Sequence, residues 1–286
     1  MGATYDDKPW VKQYDAGVPT EVDIPDQPLH EFLRQSALSF PDHPAIIFKG
    51  NKISYRELDQ LSDAVAASLA ANGFQKGDRA LIYMVNMPQF VITFYGIVKA
   101  GGIVIATNPL YTDRELEHQI GDCGAETVFV MSRFYEQLKR VQKSGHTQIK
   151  RVIVANVKEY LPTHLKLLFT LFKEKKEGHA VTLEPGDVRF QDFIAAGKQL
   201  PAPAVDVEPD DVALLQYTGG TTGLAKGAVA THRGLVANTM MVRSWMSDLE
   251  PAEEIILGAI PLFHSYGMIT VLNLAMAIAG TIIAIP

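Results

Sequence analysis

Glycines, threonines and one lysine are concentrated in a single stretch in the second half of the sequence. The apolar run Val212–Leu215 is typical of a buried strand, and it leads into Tyr217-Thr218-Gly219-Gly220-Thr221-Thr222-Gly223-Leu224-Ala225-Lys226-Gly227. Glycines let backbone N–H groups approach an anion, threonine hydroxyls add donors, and a lysine supplies a mobile positive charge. The pattern predicts a loop that binds phosphate, the alternative being a flexible surface turn. It is not a Walker A motif, because Gly227 follows Lys226 where that motif has serine or threonine.

A histidine at the end of another predicted strand is the second candidate for chemistry. The apolar run Ile255–Ile260 predicts a strand, and the next residues are Pro261-Leu262-Phe263-His264-Ser265-Tyr266-Gly267. Ligands of open α/β sheets bind beyond the carboxyl ends of the strands. Taken alone, a histidine in this position is more often a core or capping residue than a functional one.

Both motifs resemble those of the acyl-adenylate-forming enzymes. The first is similar to the signature loop of that family, Y-T-S-G-T-T-G-x-P-K-G, and departs from it at Gly219 and Ala225. The second resembles the family motif P-L-F-H-x-x-G. The Gly-Gly form of the loop, the following Thr231-His232-Arg233 and the W-x-x-x-Y-x-x-G-V-P spacing of Trp10–Pro19 are similar to bacterial long-chain fatty acid–CoA ligases.

The resemblance implies a reaction in which a fatty carboxylate and ATP give acyl-AMP and pyrophosphate, after which CoA displaces AMP. It implies Lys226 and His264 as catalytic residues, with His264 beside the acyl group and Mg²⁺ bridging phosphate oxygens. The residues that would bind ATP are Tyr217, Thr218, Gly219, Gly220, Thr221, Thr222, Gly223 and Lys226. Two alternatives stay open: an adenylating ligase for aryl or short-chain acids, and a non-catalytic nucleotide- or acyl-binding module.

Several family motifs have no counterpart in the 286 residues. These are the adenine motif with its Mg²⁺-linked acidic residue, the ribose-binding aspartate and the C-terminal lysine of adenylation. We therefore expect an N-terminal fragment of a longer ligase, inactive by itself. As a separate point, the sequence itself shows no metal-ligating cluster of cysteine and histidine.

Short apolar runs alternate with amphipathic stretches of helical length between residues 28 and 200. This alternation predicts an α/β fold with mostly parallel sheets flanked by helices. By resemblance it is the incomplete large N-terminal domain of an adenylate-forming enzyme. We expect a first subdomain with an N-terminal arm at 1–200 and the start of a second, carrying the phosphate loop, at 201–286. The uncharged stretch Gly267–Pro286 is interpreted as a buried helix and strand rather than a membrane span.

Composition limits the choice of partners and compartment. A net charge of −6 gives no indication of a nucleic-acid partner. The single cysteine, Cys123, and the lack of a signal peptide favour the cytoplasm. The stretch Leu161–Glu177 predicts a basic amphipathic helix, which is either a surface helix or a peripheral contact with the inner face of the membrane. An oligomer is neither indicated nor excluded.

Overall fold

The structure, a computed structural model, describes residue 5 and residues 8–218 and 224–286. The strands are β1 (Pro44–Phe48), β2 (Asn51–Ser54), β3 (Arg79–Tyr83), β4 (Ile103–Ala106), β5 (Thr127–Met131), β6 (Arg151–Ala155), β7 (Val188–Arg189), β8 (Val212–Thr218), β9 (Lys226–Thr231), β10 (Ile255–Gly258) and β11 (Thr281–Ala284). The helices are α1 (Glu31–Ser39), α2 (Tyr55–Ala71), α3 (Pro88–Lys99), α4 (Asp113–Cys123), α5 (Tyr135–Lys143), α6 (Thr163–Phe172), α7 (Phe190–Gly197), α8 (His232–Trp245), α9 (Ser265–Gly267) and α10 (Leu274–Ala277). A π-helical turn, Met268–Asn273, joins the last two helices.

The larger sheet has the strand order β7-β6-β5-β3-β4-β8-β9. Neighbouring strands from β7 to β8 are parallel, as expected for strands that are connected by helices. The edge strand β9 is antiparallel to β8, and Lys226 lies opposite Thr218. The sequence did not predict β9. The prediction that the loop extends from Tyr217 to Gly227 was therefore too long, because both of its ends are strand residues.

The smaller sheet has the order β10-β11-β1-β2. Its strands β10, β11 and β1 are parallel, whereas β1 and β2 form a hairpin. Lys49 and Gly50, which form the turn of this hairpin, both have positive φ angles. Each sheet contains strands from both sides of residue 200, and the division into subdomains at that residue stays a prediction.

The core is centred on α3, all of whose residues are buried. It crosses α2 so closely that a Cβ atom at Gly96 would lie 2.4 Å from Cγ1 of Val65. A second apolar cluster, which includes Leu81, Leu116 and Val128, covers the opposite face of the larger sheet. The predicted α/β class with mostly parallel sheets flanked by helices is thereby confirmed.

Most of the apolar stretch Gly267–Pro286 is core, as the sequence predicted, whereas Ile285 and Pro286 at its end are exposed. Its helical part ends at Ala277, and β11 then pairs with both β10 and β1. The hydroxyl of Tyr55 donates to the carbonyl oxygens of Ala275 and Gly280 at 2.9 and 2.7 Å. None of the helices in the described ranges is long and apolar enough to cross a membrane.

Candidate active site

The predicted phosphate loop lies at the tip of the β8–β9 hairpin. Tyr217, Thr218 and Lys226 are placed by the structure, with Thr218 and Lys226 exposed and paired across the hairpin. The five residues between them lie outside the described part of the chain: Gly219, Gly220, Thr221, Thr222 and Gly223. Their role in binding phosphate stays a prediction.

Helix α4 holds both arms of this hairpin. The hydroxyl of Tyr217 donates to Oδ2 of Asp122 at 2.5 Å, and Nε2 of His118 donates to the carbonyl oxygen of Ala225 at 3.0 Å. His118 and Asp122 are one helical turn apart, so they lie on the same face of α4. Burial and the neighbouring carboxylate of Asp122 raise the pKa of Tyr217 above its ordinary range, so this phenol stays protonated and acts as a donor.

His264 begins the helical segment that follows β10. It is exposed, and its Nδ1 accepts a hydrogen bond from the backbone N–H of Tyr266 at 3.2 Å. In the neutral ring the proton is therefore on Nε2, which can donate to a ligand oxygen. His264 thus combines the capping role of an ordinary histidine with a free donor in solvent. Only glycine fits at the motif's last position, Gly267, because a Cβ atom there would lie 2.3 Å from the carbonyl oxygen of Pro261.

A side chain of β8 joins the two motifs. Nε2 of Gln216 donates to the carbonyl oxygen of Phe263 at 3.2 Å. Gln216 is two residues before Thr218, and Phe263 directly precedes His264. Two motifs from different sheets are therefore brought to the same edge of the molecule, beyond the carboxyl ends of β8 and β10.

Asn86 is a positioning residue that the sequence did not reveal. Its Nδ2 donates to the carbonyl oxygens of Gly258 and Ile260, both at 2.9 Å, and its Oδ1 accepts from the N–H of Leu262 at 2.8 Å. Asn86 is buried between β3 and α3, and these bonds fix the segment that leads from β10 to His264. The signal in the sequence was a polar residue three positions after a buried strand, near the end at which parallel strands place their ligands.

The described residues do not fit a protein-held Mg²⁺. Within these ranges no group of three or more histidine, cysteine, aspartate or glutamate side chains could hold a metal ion. The side chains described at the hairpin ends, Thr218 and Lys226, offer a hydroxyl and an ammonium group, whereas Mg²⁺ favours carboxylate and phosphate oxygens. No step described below depends on it.

Residues 33–286 match the family model described as "AMP-binding enzyme". The chain belongs to the AMP-binding enzyme family. Similar curated relatives include the long-chain-fatty-acid–CoA ligase of Bacillus subtilis, which is 37% identical over 286 residues, covering 98% of this chain and 50% of the relative. The ligase of the same name from Yersinia pestis is 37% identical over 267 residues, which cover 92% of this chain and 47% of that relative. The resemblance to bacterial long-chain fatty acid–CoA ligases is thereby confirmed.

Solved structures of AMP-binding enzymes share the fold. A long-chain-fatty-acid–CoA ligase from Archaeoglobus fulgidus matches with a TM-score of 0.75 and 26% identity, covering 95% of this chain and 49% of that one. The anthranilate–CoA ligase AuaEII, in complex with anthranoyl-AMP, also matches with a TM-score of 0.75. Its identity is 18%, and the match covers 91% of this chain and 45% of that one. The chain spans about half the length of the relatives that it matches.

Proposed function

We propose that this chain provides the ATP-binding hairpin and the acyl-facing histidine of a ligase that activates a long-chain fatty acid as acyl-AMP and transfers it to CoA. The observation that carries the proposal is the bond from Gln216 to Phe263, which joins the hairpin to the His264 segment. The names of the bacterial relatives support a long-chain fatty acid as the substrate.

In the first step a carboxylate oxygen of the fatty acid attacks the α-phosphorus of ATP. The bond from that phosphorus to the bridging oxygen of the β-phosphate breaks, and pyrophosphate leaves with both electrons. This step requires the triphosphate to be held in line and its charge to be balanced. The backbone N–H groups of Gly219–Gly223 would hold the β- and γ-phosphates, and the exposed ammonium of Lys226 would balance their charge.

In the second step the thiol sulfur of CoA attacks the acyl carbonyl carbon and gives up its proton to solvent. The bond from that carbon to the phosphate oxygen breaks, and AMP leaves with the electron pair. Negative charge grows on the carbonyl oxygen as the sulfur attacks, and a donor aimed at that oxygen lowers the barrier. The Nε2–H of His264 would serve as this donor, because its Nδ1 is already occupied by Tyr266. Bonds from Asn86 and Gln216 hold the backbone before His264 in place for this role.

An aryl acid is the second candidate substrate. The 4-coumarate–CoA ligase of Pinus taeda is 30% identical over 274 residues, so the same half of the fold occurs in a relative named for an aryl acid. The bacterial relatives that are named for a long-chain fatty acid are more similar to this chain, at 37% identity, and they favour the fatty acid.

The test is ATP–pyrophosphate exchange with palmitate and with 4-coumarate. It is measured on a chimera in which residue 286 is followed by the remaining half of the Bacillus subtilis relative, with that intact ligase as the positive control. We expect exchange with palmitate and its loss in the Lys226→Ala chimera. Exchange with 4-coumarate alone would move the proposal to aryl acids. A chimera that is folded, binds ATP and gives no exchange with either acid would identify a non-catalytic binding module.

A further inference from the structure

The start of α3 is attached to the rest of the molecule at two points. Asn86, just before the helix, holds the segment that leads from β10 to His264. Gln89, in the first turn, is fully buried, and its Nε2 donates to the carbonyl oxygen of Asn156 and to Oε2 of Glu159, both at 2.9 Å. Only three positions separate Asn86 from Gln89, so a displacement of this turn moves both. The segment before His264 is therefore connected through α3 to the carboxyl end of β6.

The side-chain amide of Gln89 is only half satisfied. Its two N–H donors have acceptors, but its Oε1 is buried and has no hydrogen-bond partner among the described residues. Reversal of the amide does not help, because it would place Oε1 against two acceptors. A buried acceptor that lacks a donor is costly. The Oε1 atom of Gln89 therefore calls for a donor at this position.

Glu159 can supply that donor when it carries a proton. A protonated carboxyl group both donates and accepts, and an amide presents its N–H and its C=O side by side. The two groups can therefore form a reciprocal pair with two hydrogen bonds. The ionised carboxylate accepts from Nε2 and gives Oε1 nothing. The number of bonds between Glu159 and the first turn of α3 thus depends on one proton.

The surroundings of Glu159 favour this proton. Glu159 lies in the short helical turn Val157–Tyr160 and lines a polar cavity of about 340 Å³ at the carboxyl ends of β5, β6 and β7. Burial raises the pKa of Glu159 to about 6, and the bond from Gln89 and the charge of Lys166 in α6 offset only part of that effect. Glu159 forms no ion pair with any residue in the described ranges. The other polar or charged groups around it are Tyr160, the amide of Gln191 in α7, the ion pair of Lys158 with Glu174 at 2.6 Å, and His179 and Arg189 on the cavity wall.

We propose that Gln89 and Glu159 are positioning residues for His264, and that the proton on Glu159 controls how firmly they hold the first turn of α3. In the protonated state the reciprocal pair fixes this turn, and Asn86 in turn fixes the segment before His264. In the ionised state one of the two bonds is lost, and the segment is less restrained. Only the importance of His264 in this inference rests on the proposed function.

Two substitutions at one site isolate the reciprocal pair. Glu159→Gln has an amide that can form the pair at every pH, whereas Glu159→Met has a similar length and cannot form it. The pKa of Glu159 is higher in the folded than in the unfolded chain. The stability that the proton contributes is therefore complete below the ordinary pKa of 4.5 and is lost as the pH rises through about 6.

Urea unfolding of the 286-residue chain measures this loss. The factor by which Glu159→Gln is favoured over the unaltered chain in the unfolding equilibrium should be roughly tenfold larger at pH 7.5 than at pH 5. Other titrating groups are common to both proteins and cancel in this comparison. The matched control is Glu253→Gln at an exposed carboxyl group, for which the factor should be the same at both pH values.

Positioning is measured separately by hydrogen exchange and mass spectrometry at pH 7.5. In peptides that cover residues 259–266, Glu159→Gln should exchange more slowly than the unaltered chain, and Glu159→Met at least as fast as the unaltered chain. Peptides from α1 should exchange alike in all three proteins. In the chimera, kcat of ATP–pyrophosphate exchange should be roughly fivefold higher for Glu159→Gln than for Glu159→Met, the equivalent of one hydrogen bond, at an unchanged KM for ATP.

Three results would overturn the proposal. These are a stability factor that is the same at both pH values, equal exchange of residues 259–266 in Glu159→Gln and the unaltered chain, and equal kcat in the two chimera variants. If circular dichroism shows that Glu159→Met is unfolded, Glu159→Gln is compared with the unaltered protein alone. The unfolding and hydrogen-exchange measurements contain no ATP and no fatty acid, so their outcome is distinct from a failure of adenylation.

Discussion

Asp122 and Tyr217 are 95 positions apart in the sequence and share a hydrogen bond of 2.5 Å. The bond joins α4 to the last part of β8, directly before the predicted phosphate loop. With the bond from His118 to Ala225 on the other arm, it fixes both ends of a segment whose own sequence is rich in glycine. A glycine-rich loop that binds phosphate benefits from fixed ends, because less conformational entropy is then lost on binding.

We expect Tyr217→Phe to weaken ATP binding as well as stability. The free energy of unfolding should fall by about 1 kcal/mol, the usual effect of one lost hydrogen bond to a charged but exposed partner. Urea unfolding and titration with ATP measure the two effects. Tyr266→Phe is the control for stability, because that side chain is 58% exposed. If Tyr217→Phe loses stability and binds ATP unchanged, the bond to Asp122 supports the fold without positioning the loop.

Lys226→Ala should affect ATP and leave the fold unchanged. Its ammonium group is exposed at the start of an edge strand, so no core contact is lost. Removal of a charge-assisted phosphate contact should weaken ATP binding by about 1.5–3 kcal/mol, a factor of roughly ten to a hundred. Calorimetric titration of the chimera with ATP measures this. Lys52→Ala, an exposed strand lysine in the smaller sheet, is the matched control. Equal affinities in the two variants would remove Lys226 from the phosphate site.

Asn86→Asp separates the two functions of the Asn86 amide. The carboxylate can still accept from Leu262, but it cannot donate to the carbonyl oxygens of Gly258 and Ile260, and it brings negative charge against them. We expect a loss of at least about 2 kcal/mol in the free energy of unfolding. Asn108→Asp is the control, since Asn108 also follows a strand but uses its Oδ1 to accept from Leu110, a role that aspartate keeps. Similar urea midpoints for both variants would contradict the importance of the donor bonds.

The sequence predicted elements that are specified locally. The bounds of α3 follow from Pro88 at its start and Gly101-Gly102 just beyond its end, and the structure has the same bounds. Thr231 caps α8 by accepting from the N–H of Gly234, and threonine is a common residue at this position. At Thr112 and Glu115 both bonds of a capping box are present. Each of these signals depends on residues within one helical turn of one another.

The features that the sequence did not predict depend on contacts between residues that are distant in the chain. The strand β9 has no clear alternation of polar and apolar residues, and it is a strand because β8 provides a partner. The bonds of Asn86 reach residues 172 to 176 positions later in the chain, so nothing near Asn86 specifies them. At the candidate site, Lys226 and His264 were proposed from their motifs and from the family resemblance. The residues that position them, Asn86, Asp122 and Gln216, became evident only from the fold.

Two buried histidines make stability depend on pH. His232 accepts from the N–H of Leu29 through Nδ1, and the ring of His30 lies 6.3 Å from its own. Burial lowers the pKa of His30 to about 3 and that of His232 to about 4. The unfolded chain binds protons at these rings below about pH 6.5, whereas the folded chain does not, so stability is fully present above that pH and falls as the pH is lowered.

Replacement of His232 should reduce this dependence. Asparagine offers Oδ1 in place of Nδ1 and has no proton to gain. Between about pH 7 and about pH 5, the free energy of unfolding of His232→Asn should therefore fall by about 2 kcal/mol less than that of the unaltered chain. Urea unfolding at both pH values measures the difference, and the exposed His146→Asn is the surface control. A variant whose stability falls as steeply as that of the unaltered chain would show that His232 is not the responsible group.

The 286 residues by themselves should bind ATP weakly and form no acyl-CoA. The chain contains the candidate phosphate hairpin and His264, but it spans about half the length of its relatives. An adenylation site that is built from only part of its contacts cannot hold nucleotide and carboxylate in line, and alignment is the main contribution to this type of reaction. A radiolabelled palmitate assay with ATP and CoA, run in parallel on the chain and on the chimera, measures the difference. Product should appear only with the chimera. Clear acyl-CoA formation by the chain alone would show that the remaining half is dispensable, and the proposed roles of Lys226 and His264 would then have to be assigned again from variants of the chain itself.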